Sequence, residues 1–195
     1  MAITMTRKGY GQVEPNHLSG IVTGQIYAQL PAATITGSGA SAKKTPIAQL
    51  EQGQFAKYDY AKGVVDFDGE GEFMLVYNEE KLYDERKQSH KDFVYKATDF
   101  TDGFMYPRLI RTYVGDIMTT NTIAVANTSD TVKVGTVSLA VGNYLQVGTN
   151  GFLSLVTGTG DAAATTMPTT GMVWKVVKEY TMPDGQPGVK IQRVQ

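Results

Sequence analysis

From Thr119 to the end of the chain, short runs of β-forming residues recur at nearly regular intervals, each interrupted by Gly, Asn or Asp. The runs are Thr122–Ala126, Thr131–Val134, Thr136–Ala140, Tyr144–Val147, Phe152–Val156, Met172–Tyr180 and Gly188–Val194. Strands of this length and spacing predict an all-β fold, a sandwich or barrel of mainly antiparallel strands. Gly148–Gly151 and Met182–Gly185 have the composition of hairpin turns. Across the second turn, Trp174, Val176 and Tyr180 are expected on one face, with Val189 and Ile191 on the returning strand.

Upstream, Phe55–Tyr60 and Gly63–Tyr77 also alternate as strands, and Phe93–Tyr95 and Tyr106–Val114 read as two more, with Thr101–Gly103 as a turn. Glu79–Gln88 is the one segment with helical i, i+3 and i+4 relations, so one or two short helices at most are expected.

From Gly9 to Leu50 the chain shows no sustained 3.6-residue period. Gly or Pro recurs every few positions, which predicts an extended N-terminal arm. In it, Ile26, Ala28 and Leu30 would share one side of a strand and Gln25, Tyr27 and Gln29 the other. Thr36–Ala42 is small and polar and reads as a linker or loop. The chain therefore divides into an arm and linker (1–50), a charged β-rich region with one short helix (51–118) and a C-terminal barrel or sandwich (119–195). An arm without its own core is ordered by donating side chains or strand hydrogen bonds to another surface. Its expected anchors are Ile3, Met5, Arg7, Lys8, Tyr10, Val13, Ile21, Ile26, Tyr27 and Leu30.

Charge supports this division. Residues 1–50 hold four bases and one acid, 51–118 hold fourteen acids and nine bases, and 119–172 hold only Asp130, Lys133 and Asp161. No stretch concentrates enough Lys and Arg for a nucleic-acid or membrane surface, and Arg7–Tyr10 reads as a solvated pair of bases. With 195 residues the chain is long enough for a substantial core. With no Cys it has no disulfide framework, thiolate metal site or cysteine nucleophile. No apolar run reaches a membrane-spanning length, and Met1–Lys8 is not a signal-peptide start, which predicts a soluble protein used without export.

Motifs that carry chemistry fail on inspection. Asp66, Asp68 and Glu70 occupy the first ligand positions of a calcium loop, but Tyr77 stands where the closing Glu belongs. As a strand, the same run would point its acids to solvent and Phe67 and Phe73 inward. Gly37–Thr45 suggests a phosphate loop, yet Ala42 replaces the Gly before Lys43 and Lys44 displaces the Ser or Thr. His17 and His90 are the only histidines and lie in no catalytic setting, and no Gly-x-Ser-x-Gly elbow occurs. Trp174 reads as a core anchor. Neither an enzyme nor a cofactor is expected.

Three stretches carry a resemblance: Gly11–Leu30, Tyr106–Asn121 and Val173–Ile191. Together they resemble the small structural proteins encoded beside the major capsid protein of tailed bacteriophages. The resemblance implies a capsid cement or decoration protein, a β body bound on the shell with an arm over its neighbours. The implied partners are the major capsid protein and other copies of the chain, and the implied location is the virion surface, with the host cytoplasm during assembly. A tail-tube or head-tail joining protein and a carbohydrate-binding β-sandwich stand as alternatives.

Overall fold

The computed structural model describes residues 2–78, 92–124, 136–156 and 165–195. The strands are β1 (Ala2–Thr6), β2 (Val13–His17), β3 (Ile26–Tyr27), β4 (Ala33–Thr36), β5 (Lys43–Pro46), β6 (Gln49–Leu50), β7 (Phe55–Asp59), β8 (Val64–Asp66) and β9 (Phe73–Val76). They continue as β10 (Tyr95–Lys96), β11 (Leu109–Ile110), β12 (Ile117–Thr120), β13 (Thr136–Ala140), β14 (Tyr144–Val147), β15 (Leu153–Leu155), β16 (Val173–Thr181) and β17 (Pro187–Arg193). Among the described residues the named helical elements are one four-residue turn, α1 (Ser19–Val22), and 3-10 turns at Gly39–Ser41 and Ala97–Asp99. The fold is all-β and antiparallel in every named strand pair. The expected helix at Glu79–Gln88, the strand at Thr131–Val134 and His90 lie outside the described residues.

Two larger sheets form the body, in the orders β15-β14-β16-β17-β12-β2 and β3-β11-β9-β7-β8. Alternation along the second sheet explains its place. Phe55, Phe73 and Leu75 face a core that contains Trp174, Val176, Val189 and Ile191, while Ala56, Tyr58, Met74 and Val76 face a second core with Leu50, Val65, Met105 and Leu109. The five-stranded sheet is thus a middle layer buried on both faces, which is why Phe73-Met-Leu-Val76 is a continuous apolar run with no polar alternation.

The hairpin turns at Gly148–Gly151 and Met182–Gly185 close β14-β15 and β16-β17 as expected. One face assignment changes. The β16-β17 register shifts between Val176 and Lys178, and this bulge inserts one residue that turns the strand over. Trp174 and Val176 remain in the core, whereas Tyr180 comes round to the side of Lys190, whose ammonium lies 6.0 Å from its ring. Tyr106–Val114 contributes only the two-residue β11, and Phe93–Tyr95 only the start of β10.

The extended arm is not seen. Within the first fifty residues, β1 pairs with β13, β2 with β12, β3 with β11 and β4 with β5. Strand pairing crosses both expected boundaries, at 50 and at 118, because the arm's few apolar residues fill gaps between sheets assembled from the rest of the chain. Lone apolar residues can complete a core they could not form by themselves.

Candidate functional site

Most of the ten expected anchor residues serve the chain's own interior. Met5 lies in the first core, and Ile3 and Val13 pack against it. Tyr27 and Leu30 pack against the second core, and Ile26 pairs with Ile110. Arg7 is buried, with a guanidinium 3.0 Å from the Glu51 carboxylate and 5.1 Å from the Phe152 ring centre. Burial lowers its pKa and Glu51 opposes that shift. Tyr10 is half-buried, and only Lys8 and Ile21 are exposed. In this structure the surfaces that hold Met5, Arg7, Tyr27 and Leu30 belong to the same molecule and not, as expected, to a partner.

The acidic run around Asp66 is a folded clasp. Asp59 and Asp66 are buried, and the Lys62 ammonium sits 3.5 Å from one and 3.7 Å from the other. The Asp59 carboxylate accepts the backbone N–H groups of Lys62 (2.9 Å) and Glu70 (3.0 Å), and Asp66 accepts that of Gly69 (2.5 Å). Those donors, the Lys62 N–H first, hold the Asp59 pKa below the usual carboxylate range. Asp66 therefore does not point to solvent as expected, because the loop wraps around it to satisfy its own amides. Asp68 and Glu70 remain exposed. Among the described residues no three His, Asp or Glu groups converge to hold a metal ion.

A shallow groove of about 300 Å³ runs between the end of β1 and the β16-β17 turn, lined by Thr6, Lys8, Asp184, Gly185, Gln186 and Pro187. Its carboxylate is already engaged: Asp184 accepts from Gln12 Nε2 at 2.8 Å and from Gln186 Nε2 at 2.5 Å. Burial raises the Asp184 pKa, but these donors together outweigh it and the net shift is downward. Gln186 in turn accepts the Lys8 N–H at 2.6 Å. Such a carboxylate is a poor proton acceptor at neutral pH, and the groove works as a clip for the chain.

Among the described residues the longest run turned outward is in the β4-β5 hairpin. Thr36 through Pro46 are eleven consecutive exposed residues, and the two strands pair with each other as a separate sheet. Register assigns its faces. Ala33, Ile35, Lys44 and Pro46 share one side, which leans on the body through buried Ala33 and through Lys44 Nζ donating to the Gly63 carbonyl at 3.1 Å. Thr34, Thr36, Lys43 and Thr45 share the other, fully exposed side. The Gly37–Thr45 stretch weighed as a phosphate loop is this hairpin's tip and returning strand, and no helix follows it.

Sequence reasoning read Thr36–Ala42 as a linker and missed the hairpin. The signal was present: Ala-Thr-Ile-Thr and Lys-Lys-Thr-Pro flank a Gly/Ser-rich turn, with β-branched residues on both arms. Trp174, by contrast, is fully buried as its core-anchor reading expects. His17 ends β2 and is exposed.

Comparison with protein families, curated proteins and solved structures found no match to this chain.

Proposed function

We propose that the chain is a non-enzymatic structural subunit of a tailed-phage virion that binds and stabilises the capsid by bridging major capsid subunits, with the β4-β5 hairpin in the role first given to the arm. The single observation that carries this reading is the eleven-residue exposed run of the hairpin. Ordering a backbone residue costs about 1–2 kcal/mol, and these residues bury almost no apolar surface in return. A fold that holds such a segment in one conformation gains from presenting it to another molecule.

Its chemistry fits docking through side chains. Lys43, Lys44 and Pro46 on β5 are residues that blunt strand-to-strand addition at an edge. The outward face of three threonines and Lys43 offers hydroxyl donors and acceptors and one positive charge, suited to a polar, acidic surface. A conserved fold of the shell is not required for such a contact, only a complementary patch. The carbohydrate-binding alternative asked for an exposed Trp and Tyr on one face, and the burial of Trp174 speaks against it. Shell protein on the virion surface remains the proposed location and the major capsid protein the proposed partner.

The test replaces Gly37–Ala42 by a two-residue Asn-Gly turn, together with Thr36→Ala, Lys43→Glu and Thr45→Ala on the outward face, and measures co-sedimentation with emptied capsids. Binding at least ten-fold weaker, with the thermal midpoint unchanged, is the expected result. Equal binding by the shortened protein would overturn the hairpin's role.

A further inference from the structure

We propose that β1, together with Arg7 and Lys8, is exchangeable between copies of this chain, so that the first strand of one copy seats in the β13 groove of another. The proposal rests on the assembly reading above and supplies the second partner in it, namely the chain itself. Three features of the strand carry it.

The first is how β1 is held. Among the described residues it has one hydrogen-bonded neighbour, β13, in a five-pair ladder from Ala2↔Ala140 to Thr6↔Thr136. Leaving the sheet therefore breaks a single ladder. The second is where the strand's anchors land. Met5 enters the core beside Leu139, Arg7 meets Glu51 and Phe152, and the Lys8 N–H donates to Gln186. All of these partners lie at residue 51 or beyond, so a second copy offers an identical seat.

The third is a hinge. Gly9 has φ +80, and from Gly11 onward the chain is fixed again: the Gly11 N–H donates to Glu51 at 2.7 Å, and the Gln12 N–H to Asn121 Oδ1 at 2.8 Å. Gly9 is thereby the turning point between the exchanged strand and the fixed chain. Swung out, eight residues span at most about 28 Å, enough to cross to an adjoining copy.

The Glu51 carboxylate makes the seat selective. Its side chain is 6 % exposed, and a buried carboxylate that loses its cation is strongly destabilising. A second copy's first strand brings both the apolar anchor and the guanidinium in register, which a generic strand does not. Because the contacts are the same in either location, the balance is set by the hinge and by local concentration. Dilute protein keeps the strand at home, and close-packed copies in an assembly exchange it.

The absence of cysteine makes the test direct. Thr4 and Ser138 face each other across the ladder and are both exposed. A Thr4→Cys chain is mixed with a Ser138→Cys chain in a thiol redox buffer over rising protein concentration, and the products are separated without reductant. Covalent heterodimer that grows with concentration is expected. Its yield should rise about five-fold or more when the first chain also carries Gly9→Val, since a left-handed turn disfavours a β-branched residue. Overturning results are a heterodimer yield no higher than that from Thr4→Cys mixed with Val114→Cys, or no heterodimer while the double variant closes its disulfide within one chain. Neither result depends on capsid binding, so a failed exchange and a failed hairpin are told apart.

Discussion

Phe55 and Trp174 meet across the gap between the two large sheets, with ring centres 5.8 Å apart and planes tilted by 51°. One comes from β7 of the middle layer and the other from β16, and neither ring is exposed. This contact ties the two sheets at the centre of the first core.

Phe55→Ala is expected to cost about 3–5 kcal/mol, since it leaves a ring-sized cavity that strands on both sides are too constrained to close. Urea unfolding followed by the fluorescence of Trp174, the chain's one tryptophan, measures it directly. The native emission should be that of a buried indole and should move to longer wavelength on unfolding.

The Arg7-Glu51 pair should show the asymmetry of buried ion pairs. Arg7→Met alone is expected to destabilise by about 3–5 kcal/mol because it strands a buried carboxylate. Adding Glu51→Gln should recover much of that loss, since the amide oxygen still accepts the Gly11 N–H. A double-mutant cycle in urea that gave purely additive costs would contradict this arrangement.

Stability should fall in acid partly through Asp59. Its folded pKa lies below its unfolded value, so its contribution is present above about pH 4 and is lost as pH drops through the lower folded value. Asp59→Asn should be less stable than the parent at pH 6, and the gap should close as pH approaches 2. A gap that stayed constant from pH 6 to 2 in chemical denaturation would show that the clasp does not depend on the charge.

Two glycines with nearly equal φ should respond unequally to alanine. Gly151 has φ +78, and an added Cβ would press on the Phe55 carbonyl and lie 2.7 Å from the Phe67 ring. Gly185 has φ +82 with open space around it. Gly185→Ala is expected to cost about 1–2 kcal/mol from backbone strain alone. Gly151→Ala should cost clearly more, because the middle sheet must shift, and thermal unfolding of the pair separates the two effects.

The strand spacing after Thr119 was enough to read the all-β class and both C-terminal hairpins, since turn residues and side-chain alternation act over a few residues and are written locally. The calcium and phosphate-loop patterns could be weighed residue by residue, because each asks for fixed residue types at fixed spacing. The hairpin at 33–46 was half legible, its turn read as a linker because four-residue strands alternate too briefly to be told from loop.

What the chain alone could not decide was where its first fifty residues go. Met5, Arg7, Val13 and Tyr27 look like an arm's anchors because they are isolated among Gly, Pro and polar residues, and local pattern carries no address for the surface that receives them. That surface is built from β7, β9, β12, β13, β16 and β17, residues distant in sequence, and exists only after the sheets have assembled. Burial of a few side chains in a preformed gap is a property of the packed whole, so tertiary structure alone turned the arm inward and left the hairpin outside.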